Sequence, residues 1–486
     1  MQDLFDRKVK IVATLGPKSS TPEKIQALIQ AGIDVARLNF SHGDHEFHTD
    51  LFTKVRNEAK RSGRNIAILQ DLQGPKLRIG TLPKAGLRVQ KGSILEWVSE
   101  SDLSGIDSKK TVVPIPDSLF LSLKKDLTAG NGVLLDDGKL EGSVRENKPG
   151  LPIFIEMAND GVLFSKKGVH FPGIQLSLES FTEKDMKDLQ WGLEHRVDAI
   201  ALSFIRSAKE IEAVRERIKA FGKWMPFIFA KIEKEEAIDH YESILEVSDG
   251  ILIARGDMAL EVGVSRVPIV QKRLIRACNE LGVPVITATQ MLESMIHSAS
   301  PTRAEASDIA NAVLDGTDAV MLSGETAAGR YPVESVKTMR GIIINTEKNF
   351  QELSQSPKLL PLAGSMIDSI AYSAARIANH VDANLIACVS RSGQAAHTIA
   401  KYRPDKPIIA ILHQEPIYRR MAFVWGVTGL LVNQLTPTDD LFEMVEKILI
   451  DHHYVEEKDW IVMTMGVPSL KKGTTNTIKV HQIKSD

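Results

Sequence analysis

Several charged side chains follow short apolar runs of the sequence, at positions where they could act together. Lys231 and Glu233 are two residues apart at the end of one run, so in an extended segment their side chains point to the same side. Asp257 follows the next run. Mg²⁺ and Mn²⁺ bind through one or two carboxylates and keep positions for water and substrate oxygens. Glu233 and Asp257 are therefore predicted metal ligands, with ordinary salt bridges as the alternative.

The Lys231 ammonium would lie beside this metal. It could stabilise an enolate or a transferring phosphoryl group, or it could only neutralise the Glu233 carboxylate, and the residues leave both open. Zinc is not expected, because no His or Cys spacing supports it. The polar residues after apolar runs combine cations for an anionic substrate with carboxylates for a metal. They are Thr14, Arg37, Asn39, Ser41, His42, Asp71, Lys76, Arg78, Lys231, Glu233, Arg255, Asp257, Thr289 and Glu325.

The elements that must position these residues alternate between strand and helix patterns. Eight βα units are the number that closes a parallel barrel. In such a barrel the active site forms at the carboxyl ends of the strands. The polar residues fall at these ends. An open doubly wound sheet is the alternative. The predicted strands are 9–15, 34–40, 65–71, 198–204, 227–231, 250–254, 283–288 and 318–322.

Two further regions complete the predicted α/β architecture. Short β-like runs separated by Gly, Asp and Pro turns indicate a mostly β domain inserted after the third strand. Its predicted strands are 87–90, 93–97, 133–135 and 153–157. A polar stretch over 349–358 resembles a linker, and a doubly wound α/β domain follows it. Its predicted strands are 385–389, 407–412, 427–432 and 460–465. The predicted division is a (β/α)8 TIM barrel over 1–77 and 174–347, the insert over 78–173, and the C-terminal domain over 348–486.

Composition limits the class of protein. With 60 basic and 62 acidic residues among 486, the net charge is −2, so neither nucleic acid nor a membrane surface is expected as a partner. The two cysteines, Cys278 and Cys388, form no disulfide framework. The acidic N-terminus lacks the basic region of a signal peptide, so a cytoplasmic location is expected.

A nucleotide would need an unusual binding mode here. Neither a P-loop nor a protein-kinase glycine-rich loop occurs, so Arg and Lys side chains of barrel loops and of the insert would hold it. The residues by themselves predict a metal-dependent barrel enzyme that acts on a small phosphorylated or carboxylated anion. They do not name the substrate.

A set of motifs closely resembles the pyruvate kinase family, in the family's order and across nearly the whole chain. The motifs lie at 10–17, 36–43, 71–75, 133–138, 165–169, 203–206, 231–233, 254–257, 287–295, 301–305 and 321–327. The resemblance implies transfer of phosphate from phosphoenolpyruvate to ADP, giving pyruvate and ATP in the last step of glycolysis. It also implies that the insert acts as a lid, that the enzyme is a homotetramer and that it is allosterically regulated.

The resemblance further implies roles for single residues. Arg37 would bind the substrate phosphate, and Lys231 would stabilise the transferring phosphoryl group and the enolate. Backbone N–H groups of Gly256 and Asp257, with the Thr289 hydroxyl, would bind the substrate carboxylate, and Thr289 would lie near the route of enolate protonation. Glu233 and Asp257 would hold Mg²⁺ or Mn²⁺. The residues expected to meet the nucleotide are Asn39, Phe40, Ser41, His42, Arg78 and Lys167.

This chain departs from the family pattern at two places. Members that need K⁺ carry an acidic residue at the position of Lys76 and Thr at that of Leu72, so the Lys76 ammonium is predicted to replace K⁺ and make activity K⁺-independent. The alternative is a solvated Lys76, with K⁺ bound by Asn39, Ser41 and Asp71. Ala259 stands where members of the family usually have glycine. Because alanine has a Cβ and less backbone freedom, we expect the geometry of this loop to be altered.

A loop in the C-terminal domain has the pattern of a phosphate site. The residues Ser390, Arg391, Ser392 and Gly393 follow a predicted strand and open a helix, and the family uses this loop for phosphorylated effectors. The segment with Lys471, Lys472, Thr474 and Thr475 is expected to close over it. The alternative is a plain βα turn with solvated lysines.

Two other functions remain as alternatives. A metal-dependent aldolase or lyase on the same barrel would handle a pyruvate enolate without a nucleotide, and it would have no use for Arg78, Lys167 and a lid. A catalytically inactive regulatory protein would be expected to lack at least one of Lys231, Glu233, Asp257 and Thr289. All of these are present.

Overall fold

The structure is a computed structural model that describes residues 6–103, 111–222, 224–353, 359–435, 438–467 and 475–484. The chain begins with three strands and two helices. Thr21 starts the first helix by accepting the N–H of Lys24 (3.3 Å), and Gly32 ends it at φ +115°, a left-handed conformation that glycine adopts readily. These elements are β1 Lys10–Leu15, α1 Pro22–Ala31, β2 Val35–Asn39, α2 His45–Ser62 and β3 Ala67–Asp71.

The insert is mostly β, as predicted. Its main sheet has six strands in the order β11-β7-β8-β9-β5-β6, and β4 pairs with β10. Predicted and observed strands agree at four places, but strands β6, β8, β10 and β11 and helix α3 were not predicted. The elements are β4 Leu87–Val89, β5 Ile94–Ser99, β6 Val112–Ile115, α3 Asp117–Asp126, β7 Gly132–Leu135, β8 Leu140–Asn147, β9 Ile153–Met157, β10 Gly161–Leu163 and β11 Val169–His170.

The alternation of strand and helix then resumes. Short helices follow β13 and β14 directly at their carboxyl ends. The elements are α4 Glu183–Glu194, β12 Ala199–Leu202, α5 Ala208–Phe221, β13 Phe227–Ile232, α6 Glu235–Asp239, α7 Tyr241–Val247, β14 Gly250–Ala254, α8 Arg255–Val262, α9 Val267–Leu281, β15 Val285–Ala288, α10 Arg303–Leu314, β16 Ala319–Leu322, α11 Gly324–Ala327, α12 Pro332–Glu347 and α13 Phe350–Leu353.

Eight parallel strands close into a barrel in the order β1-β16-β15-β14-β13-β12-β3-β2. The closing pair is β1 with β16, in which Lys10 lies opposite Ala319. The alternative of an open sheet is therefore wrong. Closure brings the carboxyl ends of all eight strands to one mouth of the barrel, which is where such folds place their active sites.

The C-terminal domain has a five-stranded sheet in the order β19-β18-β17-β20-β21. Four parallel strands were predicted; the fifth, β21, is antiparallel to β20 and was missed. The short helix α13 lies in the predicted linker, whose residues 354–358 are outside the described part of the chain. The elements are α14 Met366–His380, β17 Leu385–Val389, α15 Gln394–Lys401, β18 Ile408–Leu412, α16 Glu415–Arg420, β19 Val427–Leu431, α17 Thr438–Asp451, β20 Trp460–Gly466 and β21 Thr475–Gln482.

One aromatic side chain of the C-terminal domain belongs to the core of the barrel. Phe423, in the turn after α16, is fully buried and packs with barrel side chains, its ring centroid 5.0 Å from that of Phe229. The Lys10 ammonium also donates to the carbonyl of Val427 (2.8 Å). The amino-terminal end of the barrel is thus covered by the C-terminal domain. Among the described residues, none of the helices has the length and apolar character needed to cross a membrane.

Candidate active site

Four charged side chains form one network at the carboxyl ends of the barrel strands. Arg37 on β2 donates from Nε to Oδ2 of Asp71 at the end of β3 (2.7 Å). Nζ of Lys231, on β13, lies 3.3 Å from Oδ1 of Asp71 and 2.9 Å from Oε1 of Glu233. Strand closure therefore brings together residues that are up to 196 positions apart, as the strand-end pattern predicted.

Two hydroxyl groups hold the two cations of this network. Oγ1 of Thr14 accepts a hydrogen bond from Nη1 of Arg37 (2.8 Å). Oγ of Ser203, just after β12, accepts from Nζ of Lys231 (2.7 Å) and donates to the carbonyl of Leu72 (2.6 Å). No role was predicted for Ser203, because a single hydroxyl has no distinctive spacing. Its position after a barrel strand is the signal that could have revealed it.

The charges of the network set the pKa values of its members. Burial lowers the pKa of Lys231, but the carboxylates of Asp71 and Glu233 outweigh burial and hold that pKa above its usual value. Burial raises the pKa of Asp71, but Lys231 and Arg37 bring it below its usual value. Lys231 is thus an ammonium and Asp71 a carboxylate at neutral pH.

Glu233 and Asp257 fit the predicted divalent-metal site. Burial raises the pKa of the Glu233 carboxyl, Lys231 offsets part of this rise, and the charge of Asp257 adds to it. With Asp71, three carboxylates face the two cations Lys231 and Arg37, so a divalent cation would neutralise the remaining negative charge. Among the described residues, no group of three Asp, Glu, His or Cys side chains could hold a metal. Two carboxylates suit Mg²⁺ or Mn²⁺ when substrate oxygens complete the coordination.

Thr289 is held in a strained conformation at the end of β15. Its φ of +69° is left-handed, which is unusual for a β-branched residue and stores roughly 1–3 kcal/mol of strain. Oγ1 of Thr289 accepts the N–H of Gly256 (2.9 Å), at the start of α8. Arg255 donates from Nη2 to the carbonyl of Thr289 (2.7 Å) and thereby holds the strained backbone. The contact between Thr289 and Gly256 brings two of the predicted carboxylate-binding residues together.

Comparison with known proteins decides the family. Residues 6–336 match the family model described as "Pyruvate kinase, barrel domain", and residues 368–481 match the one described as "Pyruvate kinase, alpha/beta domain". The chain belongs to the pyruvate kinase family. It is accordingly a kinase, a phosphotransferase, as the motifs indicated.

Relatives along nearly the whole chain support this membership. A pyruvate kinase of Geobacillus stearothermophilus is 43% identical over 481 residues, which cover 98% of this chain and 80% of that protein. A pyruvate kinase of Staphylococcus aureus is 42% identical over 481 residues, with the same coverage. The crystal structure of a pyruvate kinase from Cryptosporidium parvum has a TM-score of 0.88 and 32% identity, covering 99% of this chain and 97% of that one.

The residues that resemble the nucleotide site of pyruvate kinases form a cationic corner of the same mouth. Burial lowers the pKa of the His42 imidazole, and the positive charges of Lys76, Arg78 and Arg37 lower it further. His42 is therefore neutral at pH 7, and the three cations surround it. Such a group of cations suits phosphate oxygens.

Three other predicted nucleotide residues lie on the loop after β2. Oδ1 of Asn39 accepts the N–H of Ser41 (3.1 Å), which shapes the loop. Phe40 is only 2% exposed, and its ring stacks on His48 at a centroid distance of 4.0 Å. The Phe40 ring is thus part of the core, and only the backbone of this residue could face a nucleotide.

The insert contributes Lys167 and the wall of a cleft. Nζ of Lys167 pairs with Oδ1 of Asp136 (2.7 Å), and Nη1 of Arg78 donates to the carbonyl of Lys166 (2.8 Å). A cleft lies between the insert and the barrel mouth, and Lys76 and Asp257 are among the residues that line it. The cleft therefore opens beside one of the two predicted metal ligands.

The two departures from the pyruvate kinase pattern have different structural effects. Ala259 lies inside helix α8 and does not have a positive φ, so this position does not need glycine, and the expectation of altered loop geometry is wrong. Leu72 is 2% exposed and packs in the main core, so its side chain offers no ligand to a cation. Lys76 is exposed.

The predicted effector loop joins β17 to α15, as the pattern indicated. Its polar groups partly bond to one another: Oγ of Ser390 accepts the N–H of Gly393 (3.0 Å), and Oγ of Ser392 accepts the N–H of Gln394 (3.4 Å). Gly393 has φ +80° and starts the helix. Lys471, Lys472 and Thr474, expected to close over the loop, lie outside the described residues, and Thr475 begins β21.

Proposed function

We propose that this chain transfers the phosphate of phosphoenolpyruvate to ADP, giving pyruvate and ATP, in the cytoplasm as the last step of glycolysis. The observation that carries the proposal is the network of Arg37, Asp71, Lys231 and Glu233 at the barrel mouth, in a chain of this family. It offers cations to an anionic phosphate and carboxylates to a metal at the same place.

The transfer itself needs positioning and charge neutralisation. The Arg37 guanidinium binds the substrate phosphate, held in place by Thr14 and Asp71. An oxygen of the ADP β-phosphate forms the new P–O bond while the enol oxygen leaves with its electron pair. The Lys231 ammonium stabilises both the transferring phosphoryl group and the enolate, and its high pKa keeps it charged throughout.

The other end of the substrate is a carboxylate. In this proposal the N–H groups of Gly256 and Asp257, in the first turn of α8, and the hydroxyl of Thr289 bind that carboxylate, helped by the positive end of the helix dipole. The substrate oxygen would then replace Oγ1 of Thr289 as the acceptor of the Gly256 N–H. The enolate then takes a proton at carbon by a route near Thr289.

Glu233 and Asp257 would hold Mg²⁺ or Mn²⁺. When bound, the metal would neutralise charge on phosphate and enolate oxygens. Phe204, whose φ is +57°, donates its N–H to Oε2 of Glu233 (2.8 Å) and so fixes the direction of that carboxylate. Backbone strain of this kind is typical of functional sites, where it is retained because it fixes the geometry of the site.

ADP would lie between the barrel mouth and the insert. The proposed contacts are with Asn39, Phe40, Ser41, His42, Arg78 and Lys167. The insert, residues 78–173, would act as a lid that keeps water from the phosphoryl group. The effector loop Ser390–Gly393 would bind a phosphorylated molecule, and the active form would be a homotetramer.

Lys76 would make the enzyme independent of K⁺. Its ammonium lines the cleft and its charge acts on His42, so a fixed cation is present at the mouth. In the alternative, K⁺ binds through Asn39, Ser41 and Asp71; in this structure Asp71 already faces two cations, which disfavours a third.

The test is formation of pyruvate from phosphoenolpyruvate and ADP with Mg²⁺, in sodium or Tris buffer, with and without K⁺. Full activity without K⁺ is expected. Activity only with K⁺ would keep the enzyme and refute the role of Lys76. No pyruvate under either condition, with sugar phosphates or AMP also added, would contradict the proposed reaction and favour the aldolase or regulatory alternatives.

A further inference from the structure

One buried carboxylate outside the proposed reaction site joins the insert to the barrel. Glu261 lies in the last turn of α8, and its side chain is 2% exposed. Its Oε1 pairs with Nζ of Lys234 and lies 3.3 Å from Nε2 of His170. Its Oε2 accepts the N–H of Gly173 (3.3 Å). Burial and these partners make the contact a structured junction rather than a surface ion pair.

The three partners of Glu261 come from the insert, from the segment that returns to the barrel and from the segment after β13. His170 ends β11, the last strand of the insert, and Gly173 lies on the segment that returns from the insert to the barrel. Lys234 follows the proposed metal ligand Glu233. Helix α8 itself carries the other proposed ligand in its first turn. A single side chain therefore connects the root of the lid to both metal-binding segments.

The turn after β7 approaches the same helix. It leaves little space there, because a Cβ added at Gly138 would lie 3.2 Å from Cδ2 of Leu260. In that turn Asp136 pairs with Lys167, the proposed nucleotide cation of the lid. The turn that holds the partner of Lys167 thus lies close to α8, and the root of the lid contacts α8 through Glu261.

Glu261 is ionised in this setting. Burial raises the pKa of its carboxyl, but the neighbouring His170 side chain and the Lys234 ammonium outweigh burial and leave that pKa below its usual value. A buried charge with three polar partners holds its geometry tightly, because movement of any partner would leave the charge unpaired.

We propose that Glu261 is a positioning residue that couples the orientation of the lid to the first turn of α8, so that the nucleotide meets the transferring phosphate in line. This inference rests on the proposed phosphoryl transfer. A loosened lid would admit water to the phosphoryl group. Water oxygen would then form the new P–O bond and release a proton, and the enol oxygen would leave with its electron pair. The enolate would take up a proton at carbon, so the products would be inorganic phosphate and pyruvate.

The decisive variant is Glu261→Gln, which keeps the shape of the side chain and removes its charge. Two readouts are independent of the amount of folded enzyme: the KM for ADP, and the ratio of ATP to pyruvate formed. We expect the KM for ADP to rise about tenfold, as for a typical coupling between sites, and pyruvate to exceed ATP. His170→Asn should change both readouts in the same direction, to a smaller extent.

The matched control is Glu446→Gln in the C-terminal domain. Glu446 is also a buried carboxylate, which accepts from Nε2 of His481 (2.9 Å) and from the N–H of Lys484 (2.7 Å). This variant should lower the melting temperature and leave both readouts at the wild-type values.

Glu261→Gln with unchanged KM and an unchanged product ratio would overturn the proposal and leave Glu261 a structural residue. If Glu261→Gln does not fold, His170→Asn decides in the same way. Failure of the wild-type enzyme to form pyruvate would instead contradict the proposed function, so the two failures are distinguishable.

Discussion

At the scale of single residues, the most informative atom is Nζ of Lys231. Its three partners, Asp71, Glu233 and Ser203, lie at the carboxyl ends of three different strands. The two carboxylates raise its pKa, while the serine hydroxyl fixes its position without changing its charge. Charge and position of this group can therefore be separated by mutation.

Ser203→Ala tests the positional part. The variant keeps both carboxylate partners and removes the hydrogen bond that links Lys231 to the end of β3. We expect kcat to fall about tenfold, close to the 1–1.5 kcal/mol of one net hydrogen bond, with little change in the KM for phosphoenolpyruvate. Steady-state kinetics measures both.

Ser335→Ala is the control for Ser203→Ala. Ser335 is also buried and donates to the carbonyl of Tyr331 (2.8 Å), the residue that precedes α12. A fall in kcat of the same size in this control would show that loss of a buried hydroxyl, rather than the position of Lys231, causes the effect.

Lys76→Glu tests the monovalent-cation hypothesis. The change removes the fixed cation and introduces the acidic residue found in members of the family that need K⁺. We expect activity in sodium or Tris buffer to fall at least tenfold and to recover on addition of K⁺, because bound K⁺ would then replace the positive charge that the Lys76 ammonium supplied. A variant that stays fully active without K⁺ would refute the role of Lys76; Lys84→Glu serves as a surface control.

At the scale of elements, the strand ends of the barrel could be predicted and the insert only in part. Parallel strands such as β13 and β14 are buried on both faces, so their apolar runs are visible in the sequence and place the residues that follow them. β8 has alternating polar residues and a register shift, and β21 has no fully buried residue, so neither has such a run. Ser203 was missed for a related reason, because its function depends on a partner 28 positions away.

Helix α10 shows how an element supports the site. Thr302 and Glu305 form a capping box, and Glu305 also accepts the N–H of Ser294 (2.7 Å), in the turn that follows Thr289 and Gln290. Thr302→Ala should lower the free energy of unfolding by about 1 kcal/mol, measured by urea denaturation, because one N-terminal N–H loses its acceptor. Thr302→Ser should retain nearly wild-type stability, and equal losses in both variants would contradict the cap.

At the scale of the whole molecule, closure of the barrel and the joint between domains could not be predicted from local patterns. The β1–β16 pair joins residues more than 300 positions apart, and an open sheet has the same strand and helix alternation. Phe423 lies in the sequence of the C-terminal domain, yet it packs in the barrel.

The joint between domains should be sensitive to acid. His397 on α15 lies against Phe227 of the barrel, and burial, with the charge of Arg420, lowers its pKa to about 4. The unfolded chain binds this proton near pH 6.5, so stability is complete above that pH and falls as the pH drops toward 4, by up to about 3 kcal/mol.

His397→Gln removes the titration and should flatten the decline in unfolding free energy between pH 6.5 and 4 relative to wild type. Both proteins are compared by urea denaturation across this range, so that other titrating groups cancel. Parallel curves for the two proteins would show that His397 does not sense pH.

The position of Phe423 has a consequence for how this protein can be divided. A fragment that ends before the C-terminal domain would leave the ring of Phe229 and the apolar interior around it open to water at the amino-terminal mouth. Loss of a large buried aromatic side chain typically costs about 3–5 kcal/mol, which is a large share of the stability of an ordinary domain. The barrel and the C-terminal domain are therefore separate along the chain but not in their packing, and neither is a self-sufficient module that could be exchanged between proteins.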